Sequence, residues 1–148
     1  MSSKANNPIL QSWMEVKPKS DFPIQNIPFG IYSDAKVVNH ACSAIGDNII
    51  DLYELASNCY FEALNIPQEY FRNGSLNDII ALGKQTTNHL RERISELLLT
   101  TNTELQNHKE LHFLVFKKQS DVKMLMPIRV GDYTDFYSSI DHATNVGT

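Results

Sequence analysis

The feature that most constrains the fold is a turn signal, Gly46-Asp47-Asn48, set between two short apolar runs. Val37 to Ile45 precedes the turn and Ile49 to Leu52 follows it. Glycine with Asp and Asn between apolar runs is typical of a tight turn that folds one strand back onto the next. Residues 36–52 are therefore predicted to form a β-hairpin, which requires the fold to contain antiparallel sheet.

A third strand is predicted just upstream of the two strands of this hairpin. The run SDFPIQNIPFG at residues 20–30 contains Pro23 and Pro28, which exclude a helix and favour extended backbone. Residues 30–33 continue this segment as a strand. After the hairpin, the spacing of Leu52, Leu55 and Ala56 predicts a short helix with one apolar face.

The longest helical pattern begins near Ser75. Ser75 and Asp78 resemble a capping box with Asp in place of Glu, and apolar residues then recur at helical spacing as far as Leu98. Gly83 is expected to weaken this helix by about 1 kcal/mol relative to Ala without ending it. Periodicity leaves the runs 111–116 and 124–128 ambiguous, and we interpret the second as a strand. The mixture predicts an α+β fold.

Composition excludes several classes of function. The chain has 148 residues and a formal net charge of −4, so it can bury one core and offers no basic surface for nucleic acid. No segment approaches the roughly 20 apolar residues that span a bilayer, and the amino terminus has no signal-peptide pattern. We expect a cytoplasmic protein, with Cys42 and Cys59 as reduced, semi-buried thiols.

The last residues concentrate side chains that can carry chemistry. The run GDYTDFYSSIDHATNVG at 131–147 contains three aspartates, two tyrosines and one histidine. An extended backbone would place Asp135 and Tyr137 on one face, whereas a helix would place Asp135 and His142 together. We favour a turn into a helix that begins near Ser138 or later. A neutral histidine, with an ordinary pKa of about 6.5, can take a proton from water at neutral pH.

The other histidines give weaker signals. His108 and His112 are four residues apart, a spacing that could bind zinc on a helix. They have no third ligand at a recognisable spacing, so we interpret them as surface residues. His40 and His89 belong to no motif.

Three stretches, in the same order along the chain, resemble the fumarylacetoacetase family. They are SDFPIQNIPFG at 20–30, AIGDNIIDL at 44–52, and DYTDFYSS with HATNVG at 132–147. The middle of the chain, roughly residues 53–110, resembles the family only loosely. The resemblance implies a hydrolase that cleaves the carbon–carbon bond of 4-fumarylacetoacetate to fumarate and acetoacetate, in tyrosine and phenylalanine breakdown.

The same resemblance implies roles for three residues. Asp135 matches a metal ligand, Tyr137 matches a substrate contact and His142 matches the general base that activates water. Calcium at the catalytic site and magnesium nearby are the implied cofactors, and the full-length enzyme is implied to be a homodimer. The pair Ile140-Asp141 departs from the family, which has a more polar, often basic pair beside the histidine.

Polar composition at residues 1–12 and at 117–121 marks two boundaries in the chain, and the resemblance implies what lies between and after them. Residues 1–12 are expected to be a disordered amino terminus, 13–120 a small SH3-like antiparallel β-barrel with helices, and 121–148 the incomplete start of a β-rich catalytic domain. The remaining ligands lie downstream in the family, so we expect this chain to be an inactive piece of the enzyme. The alternative is a non-catalytic binding or assembly module derived from the same family.

Overall fold

The computed structural model describes residues 4–134 and 139–147. Within them, five strands form one antiparallel sheet in the order β4-β3-β2-β1-β5, which curls into a half-barrel. The strands are β1 (Gly30–Ser33), β2 (His40–Ile45), β3 (Asn48–Asp51), β4 (Phe116–Lys118) and β5 (Lys123–Leu125). The helices are α1 (Leu52–Ser57), α2 (Asn77–Ala81), α3 (Gly83–Leu98), α4 (Lys109–Val115) and α5 (Ile140–Val146). The predicted α+β class is confirmed.

The predicted hairpin is present as β2 and β3. Its register pairs Cys42 with Asp51 at one end and Ile45 with Asn48 at the turn. Gly46 occupies the turn with a φ of +54°, and a Cβ placed there would lie 2.5 Å from the carbonyl oxygen of Glu15. Both the left-handed backbone and the close approach of another segment therefore require glycine at this position. The strand predicted at residues 30–33 and the helix predicted after the hairpin are also confirmed.

The long helix predicted after Ser75 is wrong in its continuity. It consists of α2 and α3, because Gly83 has a φ of +87°, which an α-helix cannot accommodate. The capping box is also wrong, since the Ser75 hydroxyl faces the Asn77 N–H and Asp78 accepts from the side-chain amide of Asn73. A glycine within a helical pattern does not by itself show whether the helix is weakened or interrupted there.

The two ambiguous runs take different structures. Residues 109–115 form α4, and the chain then enters β4 at Phe116. The predicted strand at 124–128 is confirmed in part, because β5 covers Lys123–Leu125 and pairs with β1. Residues beyond Asp121 thus join the same sheet as the hairpin. The helix expected near Ser138 or later is confirmed as α5.

The main core lies between one face of the sheet and the helices. Sheet residues such as Ile31, Ala41 and Ile50 pack there with the apolar stripe of α3. Each fully buried Leu or Ile stabilises the fold by about 1.5–3 kcal/mol relative to an exposed one. A smaller cluster on the opposite face of the sheet contains Tyr32, Cys42 and Ile49.

Residues 4–12, predicted from sequence to be disordered, contact the domain. Ala5 is buried, and the backbone N–H of Lys4 donates to the Glu92 carboxylate on α3. Trp13 then donates its indole N–H to the carbonyl of Leu97 over 2.9 Å. In the described part of the chain, none of the helices combines the length and apolar character that a membrane crossing demands.

Candidate functional site

The side chains of the three site residues taken from the resemblance are not among those that the structure describes. Asp135 and Tyr137 lie outside the described residues. His142 belongs to α5, for which the backbone path is described but not the imidazole. Their proposed roles therefore stay predictions.

The described residues bring a different set of polar groups together on the smaller face of the sheet. Tyr32 on β1 lies opposite His40 on β2, and Cys42 on β2 lies opposite Asp51 on β3. Because side chains alternate along a strand, these four residues share one face. Asp51 is the last residue of β3 and directly precedes α1, so its carboxyl group also lies at the start of that helix.

Asp51 is a fully buried carboxylate that accepts three hydrogen bonds. Its Oδ2 accepts from the Tyr32 hydroxyl over 2.6 Å and lies 2.9 Å from Nδ1 of His40. Its Oδ1 accepts from the backbone N–H of Glu54 over 3.0 Å, which caps α1. Because a carboxylate only accepts, the Nδ1 of His40 donates. The site therefore connects three strands and one helix through a single side chain.

Burial and the charge of Asp51 shift the pKa values of its neighbours. Burial first, and the Asp51 charge second, raise the pKa of Tyr32, so the phenol stays a donor. The same two causes raise the pKa of the Cys42 thiol to about 12, which keeps it protonated and unreactive at neutral pH. Burial and then Asp51 also raise the pKa of Glu54.

These residues include the one trio in the described part of the chain that could hold a metal ion. One ligand atom from each of His40, Asp51 and Glu54 lies within 4.8 Å of the others. Nitrogen and carboxylate oxygen together suit a first-row divalent ion. However, both carboxylate oxygens of Asp51 already accept hydrogen bonds, and Nδ1 of His40 is one of the three donors. Metal binding would break the bonds that join the strands, so the arrangement is suited to structural anchoring.

Aromatic rings extend this cluster to the surface. The His40 ring centroid lies 4.6 Å from that of Tyr53 on α1. The guanidinium of Arg72 lies 5.1 Å from the centre of the Tyr53 ring and donates to its hydroxyl over 2.9 Å. These contacts fix the His40 ring from the solvent side, while Asp51 holds it from within.

Sequence reasoning missed this cluster because its members lie up to 19 residues apart along the chain. His40 was assigned to no motif, and Asp51 entered only as part of a family-like stretch. The available signal was Asp51 itself, which ends a strand and precedes a predicted helix, a position where Asp is a favoured cap. Its bonds to Tyr32 and His40 depend on strand register, which the sequence pattern did not define.

His108 and His112 pack against aromatic residues and share no metal-binding geometry in the described structure. Nδ1 of His108 lies 3.0 Å from the Tyr60 hydroxyl. His112 stacks on Trp13 with 5.3 Å between ring centroids and donates Nε2–H to the Leu105 carbonyl. His112 is half-buried rather than on the surface as predicted. Of the two free cysteines, Cys42 is buried and Cys59 is exposed, so neither is semi-buried.

The half-barrel sheet, with helices covering one face and a buried Asp hub on the other, defines a small α+β domain. Comparison with known proteins identifies its relatives. The fumarylacetoacetase N-terminal family matches residues 25–127, and the chain belongs to that family. The fumarylacetoacetase of Caenorhabditis elegans is 41% identical over 139 residues, that of Dictyostelium discoideum 39% over 142, and that of Rattus norvegicus 38% over 137.

These alignments cover most of this chain and a minor part of each relative. They include 93%, 94% and 92% of the chain for the nematode, Dictyostelium and rat proteins, respectively. In each case they include 33% of the relative. The chain therefore spans about a third of the length of the relatives it matches.

Proposed function

We propose that the chain supplies the amino-terminal portion of a fumarylacetoacetase, the hydrolase that cleaves 4-fumarylacetoacetate to fumarate and acetoacetate in tyrosine and phenylalanine breakdown. The observation that carries this proposal is the family match over residues 25–127, with relatives named fumarylacetoacetase. The 148 residues alone are proposed to be inactive, because they correspond to about a third of such an enzyme. We further propose that the enzyme is cytoplasmic and acts as a homodimer.

In this proposal the carboxyl-terminal residues of the chain contribute part of the catalytic site. His142 takes a proton from the attacking water, and the Tyr137 hydroxyl donates a hydrogen bond to the substrate. Asp135 would provide one hard oxygen ligand for calcium, and magnesium is the second proposed ion. Calcium, when bound, would supply positive charge for the attacked carbonyl and the developing enolate. Because calcium takes about six to eight oxygens, other residues of the full-length enzyme must provide the rest.

Within the same proposal, the two parts of the chain have different roles. The half-barrel sheet is proposed to be the SH3-like amino-terminal domain, and residues 121–148 the start of the catalytic domain. The Asp51 hub belongs to the amino-terminal domain, where it joins β1, β2 and β3 to α1. Its proposed contribution to function is indirect, through the stability of the domain that precedes the catalytic residues.

A chimera tests the assignment. The chain replaces the aligned first third of the C. elegans enzyme, and loss of fumarylacetoacetate absorbance is followed with calcium present. We expect turnover by the chimera, a fall of about 10²–10⁴-fold for His142→Gln, and no change for the matched control His89→Gln, whose side chain is exposed.

Two outcomes would contradict this proposal. Full activity of the His142→Gln chimera would remove the catalytic role and favour the binding or assembly module. Turnover by the 148-residue chain alone would show that the remaining two thirds are not needed. Circular dichroism of each variant separates a lost catalytic group from a lost fold.

A further inference from the structure

A continuous row of apolar side chains is exposed where the sheet ends. Met124, Met126, Ile128 and Val130, here called the apolar ridge, have exposed fractions of 53%, 76%, 44% and 75%. They are alternate residues of β5 and the segment that follows it, which bends at Ile128. Between them, Leu125 and Pro127 are half-buried and Arg129 is exposed. Strand alternation puts Met124 on the face opposite Leu125, and the exposed fractions place the other three side chains at the surface.

Hydrogen bonds hold this segment in place along the domain. β5 pairs with β1, and the carbonyl of Pro127 accepts from the N–H of Leu76 over 2.8 Å. Two further bonds join Asn77 and Arg129, one from the Arg129 N–H at 2.9 Å and one to its carbonyl at 3.0 Å. The apolar ridge is therefore presented by anchored backbone, as at preformed interfaces.

We propose that the apolar ridge is the docking surface for the carboxyl-terminal two thirds of the fumarylacetoacetase polypeptide. This inference rests on the proposed function for the identity of the occupant. An exposed row of apolar side chains on an ordered segment is typical of a surface that another protein surface covers. β5 is also an edge strand, so its outer N–H and C=O groups lack a strand partner within the sheet.

The extent of the relatives identifies the occupant. The alignments include 33% of each relative, and the family match ends at residue 127, in the middle of the ridge. The ridge thus lies where the amino-terminal family region meets the remainder of the enzyme. It also directly precedes the 131–147 run, so docking here would fix where the segment that carries His142 begins.

A second copy of this chain is the competing occupant. Residues 122–130 contain two basic residues, Lys123 and Arg129, and exposed Asp121 and Asp132 flank them. Charge therefore does not separate the two occupants, and the concentration dependence in the following test does.

Thiol accessibility tests the proposal without reference to activity. In a Cys59→Ser background, Val130→Cys reports on the ridge, and Val38→Cys is the matched control because Val38 is 70% exposed and lies away from the ridge in sequence. Maleimide labelling is measured by peptide-resolved mass spectrometry in the 148-residue chain and in the C. elegans chimera. Labelling of buried Cys42 reports loss of the fold in either host.

We expect both introduced cysteines to react rapidly in the 148-residue chain. In the chimera, Val130→Cys should react at least tenfold more slowly, while Val38→Cys keeps its rate. Equal rates for Val130→Cys in the two hosts would overturn the proposal, and so would protection in the 148-residue chain that grows with its concentration, since the occupant would then be a second copy. If rapid Cys42 labelling shows that the chimera is unfolded, cysteines at the aligned positions of the full-length C. elegans enzyme decide by the same criterion.

This test and the activity test fail independently. A chimera that turns over substrate while Val130→Cys stays reactive would refute the ridge and leave the proposed function intact. A folded chimera in which Val130→Cys is protected but substrate is not turned over would refute the proposed function and leave the proposed docking surface intact.

Discussion

Replacing Asp51 should destabilise the domain more than the loss of any one of its hydrogen bonds. Asp51→Asn keeps a side chain of the same size that can still cap α1, but its amide replaces a carboxylate oxygen. With its oxygen on the Glu54 N–H, its NH2 takes the place of Oδ2, so the Tyr32 hydroxyl and Nδ1 of His40 lose a charged acceptor and face a donor instead. Hydrogen bonds to charged groups contribute about 1.5–3 kcal/mol and an unsatisfied buried group costs about 1–3 kcal/mol, so we expect a loss of about 3 kcal/mol.

A second variant separates the cap from the network. Asp51→Ala also removes the acceptor for the Glu54 N–H, which is worth about 1 kcal/mol, so the total loss should be about 4 kcal/mol. Urea unfolding followed by fluorescence of Trp13, the one tryptophan in the chain, gives the free energy of unfolding of each variant. Asp121→Asn, at an exposed carboxyl group, is the control and should change it by less than about 0.5 kcal/mol. A loss below about 1 kcal/mol for Asp51→Asn would refute the reasoning.

Three further outcomes follow from single contacts. Gly46→Ala should lower the free energy of unfolding by more than about 1 kcal/mol, because the residue has positive φ and its new Cβ would meet the Glu15 carbonyl; an unchanged urea midpoint would contradict this. Burial alone would raise the pKa of Asp34, but two backbone N–H groups and Lys117 outweigh it and lower that pKa. This carboxylate therefore stabilises the fold fully above its unfolded pKa of about 3.9, and the contribution is lost progressively as pH falls from there through the lower pKa of the folded state. The destabilisation by Asp34→Asn should therefore be larger at pH 7 than at pH 3, and melting curves that show an equal loss at both values would count against it. Ser43→Ala should be neutral or stabilise by about 1 kcal/mol, since the buried Ser43 hydroxyl has no hydrogen-bond partner among the described residues; a clear loss in thermal midpoint would reveal a partner.

Local chemistry made the hairpin and the strand before it predictable. The Gly46 turn strongly favours glycine, and the prolines before Gly30 exclude the main alternative to a strand. The interruption at Gly83 was not predictable in the same way, because the apolar spacing is compatible with one helix or two. A Cβ at Gly83 would meet nothing within 4 Å, so no packing constraint marks the break in the sequence.

The Asp51 site could not be predicted from the sequence because it depends on contacts between residues that are far apart along the chain. Tyr32, His40 and Asp51 come together through the register of three strands, and a shift of one residue would separate them. Their chemistry was therefore visible in the sequence only as separate residues. By contrast, Asp135, Tyr137 and His142 were selected through family resemblance, and their roles stay predictions.

Stability and catalysis should depend on separate parts of this chain. The buried residues and the Asp51 hub lie upstream of residue 116, whereas α5 exposes Ile140 and Val146 to 84% and 61%. In the proposed function His142 has a catalytic and not a packing role, so His142→Gln should change the free energy of unfolding of the 148-residue chain by less than about 0.5 kcal/mol. The same substitution should abolish most turnover in the chimera. A loss of more than about 1 kcal/mol in urea unfolding of the isolated chain would show that His142 supports the fold, and the fall in turnover would then no longer identify it as the general base.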